Sequence, residues 1–395
     1  MSCYRRDTRD KLQMITYASR IAHISASRQS LRSLGGSTYN IWKSLSLGFS
    51  SYRVFSRSEG VPGESQDGTL IVSLVASNYR RELEFLFTQF LLFREILKWR
   101  PDALVCQSPV LGGMVGALVA RCLRIPLMVE IHGAEFVKRP GRDHKARILQ
   151  QLSSLVYPHA SVIRVLSEGM KRDFLERNRS TSEKRILVIP PRVDLDVFHP
   201  ETQRCSQPAL TLVMVGAINE NKGQARAIRA LAKSASPVHL VLVGDGPGLE
   251  RCRQAAHENR NAINVTFAGR LDPKGVASIL RDADVFLMNS KTEGTPRAMM
   301  EAMACGLPVV TTNAGYCRDL VQDGSTGFVL SEQRTEEHLI RLVEMLTSDD
   351  QLRHRMGDSA AGYARKHFDA RKIYTQYRAA IGEMANANLP RMDGQ

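Results

Sequence analysis

Two glutamates, Glu293 and Glu301, bracket the segment EGTPRAMME with seven residues between them. The string continues AMACGLPVVTT, which reads as loop, helix, turn and buried strand. Thr295 suits the N-cap and Pro296 the first helical position, where a missing N–H costs nothing. Gly306 suits the left-handed residue after the helix, and Pro308 stops it. Glu293 then lies in the loop before the helix, and Glu301 inside it, under two turns from its start. A helix N-terminus attracts phosphate through free N–H groups and its dipole. Carboxylates beside it accept hydrogen bonds from hydroxyls instead. Anion donors and diol acceptors in one pocket suit a sugar nucleotide.

Ligands of open parallel sheets sit at the carboxyl ends of strands, so the strand-to-helix turns come next. After LTLVMVG the turn AINENKGQ carries Lys222 beside Gly223. An ammonium there can meet the charge that develops on a departing diphosphate, although a lysine before a helix is most often simply solvated. After HLVLVG the turn DGPGLE holds Gly244, Gly246 and Gly248, which fit a close ligand or merely a tight turn. After VTFAG, at Gly269, the chain turns at Arg270–Leu271, where backbone groups can read a base edge. In the first half, strand LMVEI runs into His132-Gly133-Ala134-Glu135 and puts a histidine at a strand end facing the same cleft. Gly35-Gly36, before the helical stretch Tyr39–Leu47, is a second candidate phosphate or acceptor loop, or a hinge.

The elements that must hold these residues alternate between apolar runs and amphipathic stretches, the pattern of parallel sheets covered by helices. Strands are expected at Leu70–Ala76, Ala103–Cys106, Leu127–Ile131, Val162–Leu166 and Ile186–Ile189, with a first strand near Gln13–Tyr17. Helix Glu82–Trp99 is apolar almost all round and reads as a core helix, with membrane docking as the other reading. In the second half LTLVMVG, HLVLVGDG, INVTFAG, VFLMN and LPVVTT each end near Gly, Asn or Thr. A polar, proline-bearing join at Phe198–Pro208 separates the halves. The expected division is 1–200 and 205–370, with a C-terminal helix about 372–390 reaching back to the first part.

Composition bounds the partners. The 395 residues suffice for two or three domains, and 43% hydrophobic with 24% charged residues is ordinary for a globular chain. Residues 1–200 carry 30 Lys and Arg against 18 Asp and Glu, whereas residues 201–395 carry 24 against 22. The basic half points to an anionic partner or to a solvated basic surface. Seven scattered cysteines without a CxxC pair speak against a disulfide framework or zinc site and for a reducing compartment. No apolar run reaches the roughly 20 residues of a bilayer span, and no secretory signal is visible. A cytoplasmic protein, peripheral on the inner face of the plasma membrane, fits. Nucleic acid is a poor partner, because aromatic content is 6% and no aromatic–basic module appears.

These motifs resemble the retaining glycosyltransferases of family 4, most strongly from about Leu210 to Leu330. EGTPRAMMEAMACGLPVV is similar to the family's glutamate–seven–glutamate motif, and NAGYCRDLVQDGSTGFVL to the segment after it. LSEGMKRDF, PPRVD and HGAE resemble the corresponding first-half and interdomain segments. The resemblance implies the GT-B fold: two Rossmann-like parallel-sheet α/β domains facing across an interdomain cleft. It implies that Glu301 holds the ribose hydroxyls and Glu293 the donor sugar, with N–H groups of Gly294 and Thr295 near the phosphates. It implies that Lys222 binds the diphosphate and that His132 lies by the donor sugar and the reacting centre, with Gly35-Gly36 against the diphosphate or acceptor. Gly216 belongs to the donor site, but the family's following Arg is Ala217 here. Loss of that cation weakens transition-state stabilisation by roughly 2–4 kcal/mol unless Arg192 or Arg270 replaces it. Asp319 stands where Glu is common.

The reading is therefore metal-independent hexosyl transfer with no cofactor. The donor is a nucleotide-diphospho-sugar and the acceptor a glycan or lipid-linked sugar, at an anionic membrane surface. The alternatives are a sugar-nucleotide-binding protein without turnover and an epimerase on the same fold.

Overall fold

The computed structural model describes residues 17–30, 37–59, 61–75, 81–110, 112–133, 144–179, 185–201, 209–331 and 335–387. Among these, apolar runs form two sheets. The first contains β1 (Tyr17–Gln29), β2 (Phe49–Ser58), β3 (Gly63–Asp67), β4 (Leu70–Val75), β5 (Ala103–Cys106), β6 (Leu127–Glu130), β7 (Val162–Val165) and β8 (Arg185–Val188). Their order is β3-β4-β2-β1-β5-β6-β7-β8, parallel except for the β3–β4 hairpin. The second contains β9 (Leu210–Val215), β10 (Val238–Val243), β11 (Asn264–Gly269), β12 (Val285–Met288), β13 (Val309–Thr312) and β14 (Gly327–Leu330). Its order is β11-β10-β9-β12-β13-β14, parallel throughout.

Alternation along the strands explains the layers, since successive side chains point to opposite faces. Leu104, Val129 and Ile163 pack under α2 (Arg81–Trp99), α3 (Gly113–Leu123), α4 (His144–Val156) and α5 (Glu168–Arg177). Ile21, Val105 and Met128 face the other way, under α1 (Ser37–Ser46) and α12 (Ala370–Asn386). The last helix of the chain thus packs on the first sheet, through Ile373, Tyr377 and Ile381. In the second sheet Leu212, Leu240 and Leu287 meet α6 (Gln224–Leu231), α7 (Leu249–Glu258) and α10 (Thr335–Ser348). Val213, Val241 and Phe286 meet α8 (Pro273–Asp282), α9 (Arg297–Ala304) and α11 (Asp350–His367).

Of the expected Gln13–Tyr17 strand only Tyr17 lies among the described residues, and the first strand runs on from there to Gln29, a length the sequence reading does not anticipate. Residues 13–16 lie outside the described residues. Serine, histidine and arginine within YASRIAHISASRQ hide its periodicity. Two of these polar residues are buried: His23 Nδ1 shares a 2.6 Å hydrogen bond with Tyr52 while its Nε2 makes none, and Ser25 donates to Gln107 at 2.9 Å. The antiparallel β3 was not expected either, although Asp67-Gly68 before Leu70 is a hairpin signal.

Two contacts lock the halves together. Asp319, between β13 and β14, accepts a 2.8 Å hydrogen bond from the Gly169 N–H in the first turn of α5. A Cβ on Gly169 would lie 2.3 Å from that carboxylate, so the approach requires glycine. Tyr316, packed into the first core, donates to Asp173 at 2.9 Å.

Candidate functional site

In the second sheet the strand order reverses between β9 and β12, the position where open α/β sheets leave a crevice for ligand. The loops after those two strands carry Lys222 and Glu293. Lys222 Nζ donates to Glu293 Oε1 at 2.6 Å, with the side chains 25% and 10% exposed. Asn221 stitches the same loops: its Nδ2 donates to the Thr292 carbonyl at 2.9 Å, and its Oδ1 accepts from the Thr292 N–H at 3.0 Å. The Lys222 side chain lies over Gly216, where a Cβ would sit 3.9 Å from the ammonium nitrogen. Glu293 is seated from below by Gly315. That residue has φ +59, and a Cβ on it would fall 1.8 Å from the Glu293 carbonyl oxygen.

The helix between the glutamates begins one residue later than expected. Pro296 occupies the N-cap with extended ψ 105, and α9 runs from Arg297. Thr295 is therefore not the cap, and its buried hydroxyl makes no hydrogen bond. The first N–H groups of α9 consequently have no side-chain cap, which leaves them free for an anion. Gly306 takes φ +79 just past the helix, as its sequence position requires. Glu301 is largely buried, and burial raises its pKa against the opposing pull of Arg297, which lies at 3.5 Å.

His132 stands across from these loops, at the end of β6. Its carbonyl oxygen lies 3.1 Å from where a Gly294 Cβ would be, so the two halves meet at this point. His132 Nε2 shares a 2.7 Å hydrogen bond with Glu130 Oε2, and Glu130 Oε1 accepts from Arg164 Nη1 at 2.9 Å. Arg164 also donates to the Ile189 carbonyl at 3.0 Å and lies 4.5 Å from the Tyr377 ring centre. Burial works against ionisation of Glu130, yet Arg164 and His132 hold its pKa well below the usual carboxylate range. The ionised carboxylate accepts, so His132 Nε2 carries the proton of that bond.

The structure thus brings together Gly216, Lys222, Glu293, Gly294 and His132. Thr295 and Glu301 follow on the same loop and helix. Gly269 and Arg270 end the edge strand β11, two strands from β9, with Arg270 exposed. Arg192 donates to the Tyr374 hydroxyl at 2.6 Å, which gives it a partner on α12. Gly35 and Gly36 lie outside the described residues, as do Ala134 and Glu135. Gly244, Gly246 and Gly248 press on the backbone of residues 216–219, so close packing of two turns accounts for them. A cavity of about 460 Å³ opens between α6 and α7, but neither Lys222 nor Glu293 lines it, so its size is no guide to the chemistry. Among the described residues no group of metal-ligating side chains occurs.

Sequence reasoning passed over Glu130 and Arg164, which sit opposite each other in adjacent buried strands. The available signal was a charge inside each of two otherwise apolar segments, LMVEI and VIRVL. It also passed over His23, whose pKa burial lowers to about 4. This gives a testable pH dependence. As pH falls from about 6.5 to about 4 the unfolded chain binds a proton that folded His23 refuses, so stability drops by about 3 kcal/mol and levels off below. Urea unfolding of wild type and His23→Gln between pH 7 and 4 should show their difference changing by that amount. A constant difference would remove His23 as the cause.

Two family models match the chain. Glycosyl transferases group 1 covers residues 201–362, and a glycosyl transferase 4-like domain covers residues 47–192. The sulfoquinovosyl transferase SQD2 of Arabidopsis thaliana is 27% identical over 351 residues, 83% of this chain and 67% of that protein. A GDP-mannose-dependent alpha-(1-6)-phosphatidylinositol monomannoside mannosyltransferase of Mycobacterium tuberculosis is 31% identical over 180 residues, 41% of this chain and 47% of its own length. Among solved structures, sucrose-phosphate synthase from Thermosynechococcus elongatus superposes with a TM-score of 0.78 at 20% identity, covering 94% of this chain and all of that one. The fold is GT-B.

Proposed function

The chain belongs to the glycosyltransferases that these two models describe, and from that premise we propose that it transfers a hexosyl group with retention from a nucleotide-diphospho-sugar. The acceptor is a glycan or lipid-linked sugar, in cell-envelope polysaccharide or glycolipid synthesis on the inner face of the plasma membrane. The division of labour follows the two sheets. Residues 1–200, joined by the C-terminal helix, hold the acceptor, and residues 205–370 hold the donor.

The observation that carries this reading is the Lys222–Glu293 pair at the crevice between β9 and β12, with the uncapped start of α9 beside it. The ammonium group and the free N–H groups stabilise charge on the departing diphosphate without a metal ion. Glu301 accepts from the ribose hydroxyls, and Glu293 orients Lys222 and touches the donor sugar. The acceptor attacks from the side of the leaving group, and a phosphate oxygen takes its proton, so no protein nucleophile is needed. His132, tied to Glu130, lies by the donor sugar and the reacting centre. The mannosyltransferase relative, named for its nucleotide-sugar donor and lipid acceptor, supports the substrate classes.

A thermal-shift screen with UDP-, GDP- and ADP-sugars should yield one selective stabiliser by mass action. Glu301→Ala should abolish that shift and turnover together, while EDTA should leave turnover unchanged. Inactivation by chelator would overturn the metal-free mechanism. The same donor assay reads the missing arginine: Arg192→Ala or Arg270→Ala should slow donor hydrolysis if either guanidinium replaces it, and wild-type rates in both would end that idea. Ala217 favours one rival, a donor-binding protein without turnover. Tight donor binding with neither transfer nor hydrolysis would establish it.

A further inference from the structure

The outer face of the α2–α4 layer concentrates apolar surface. Phe90 on α2, Leu118 on α3, and Ile148, Leu149 and Leu155 on α4 all stand exposed, the last at 66%. Few large apolar side chains are exposed elsewhere among the described residues: Leu47, Val61 and Leu271. Ile148 and Leu155 are seven residues apart, with half-buried Leu152 between them, so they form one stripe along α4. Neither α3 (GMVGALVARCL) nor α4 (HKARILQQLSSLV) contains an acidic residue. Arg121 and the left-handed C-cap Arg124 are exposed at the end of α3, and Lys145 and Arg147 belong to the first turn of α4. No described helix is long and apolar enough to cross a membrane.

We propose that the outer face of α3 and α4 docks on an anionic lipid surface, the leucines and isoleucine entering the headgroup boundary and Arg121 and Arg124 meeting lipid phosphates. Exposed aliphatic residues on helices whose own charged side chains are all basic are the signature of an element that lies in a membrane interface. A second copy of the same face is a poor occupant, because it would set like charges against each other with no carboxylate on either helix to offset them. This docking rests on the lipid-linked reading above and deepens it.

The test is co-sedimentation of the full chain with phosphatidylglycerol-containing and pure phosphatidylcholine vesicles, at low and high salt, without donor. Binding is expected to the anionic vesicles alone and to weaken at high salt. Ile148→Ser with Leu155→Ser should lower partitioning by about tenfold or more, and Arg121→Glu with Arg124→Glu should abolish it. Val61→Ser, exposed on another part of the surface, should bind as wild type. Equal binding by the α4 pair and wild type, equal binding to neutral vesicles, or a solution dimer dissolved by the α4 pair would each overturn the proposal. The donor-induced thermal shift, measured on every variant, controls for folding. Its loss in wild type alongside intact vesicle binding would sink the donor reading and leave the docking face standing.

Discussion

Lys222→Ala is expected to lower kcat by about 10²–10³-fold, the loss seen when one preorganised donor is removed from a developing anion. The ammonium group is held at 2.6 Å from Glu293 and is three-quarters covered, so it does not need to reorganise when the diphosphate leaves. Its stabilisation grows as the sugar–phosphate bond breaks. The loss should therefore fall on kcat more than on KM. Lys222→Arg should recover little, because a planar fork does not replace a compact ammonium over Gly216. A second consequence is structural: Glu293, 10% exposed, keeps a carboxylate without its counter-charge. Adding Glu293→Gln to Lys222→Ala should restore stability without restoring rate. Steady-state kinetics beside urea unfolding would separate the two, and an unchanged kcat in Lys222→Ala would remove the lysine from the mechanism.

Glu130→Ala should destabilise the fold by about 3–5 kcal/mol, since it strands the Arg164 guanidinium inside the first sheet. The carboxylate is 1% exposed and its arginine partner 5%, so solvent cannot take over either role. Replacing both, as in Glu130→Leu with Arg164→Met, should recover most of the stability, because well-packed apolar residues substitute for a buried pair at little cost. Activity should not recover with it. His132 would have lost the acceptor that fixes its ring, and misplacement near a reacting centre lowers rates by up to about 10²-fold. A double variant that is both stable and fully active would show that Glu130 serves packing alone. The pH sign follows from the depressed carboxyl pKa. The stabilisation from Glu130 is complete above the ordinary carboxylate range and is lost as pH falls through the lowered folded value.

Most regular elements could be read in the chain itself. Ala103–Cys106 is a strand as expected, and helix Glu82–Trp99 differs from α2 by one residue at its start. Part of what escaped is burial that depends on polar partners elsewhere. His23 in β1 finds the partner of its Nδ1 in Tyr52 of β2, 29 residues away, so no local periodicity announces it. The start of α9 slipped by one residue for a similar reason. Thr295 has the chemistry of a cap, but Pro296 adopts the extended cap conformation in its place.

By itself the sequence determined the alternating elements, the glutamate-bracketed helix with its left-handed Gly306, and the lysine turn after β9. Each of these is a nearest-neighbour effect, set by side-chain periodicity and by which residues tolerate which backbone angles. The tertiary structure alone decided that β9 and β12 are neighbours, and hence that Lys222 meets Glu293 across 71 residues of chain. It also decided that Glu130 faces Arg164 in register, and that Asp319 reaches Gly169 from the opposite half. Strand order and the packing of one half on the other arise from the burial of whole faces at once, and no local pattern encodes which two loops that burial will bring together.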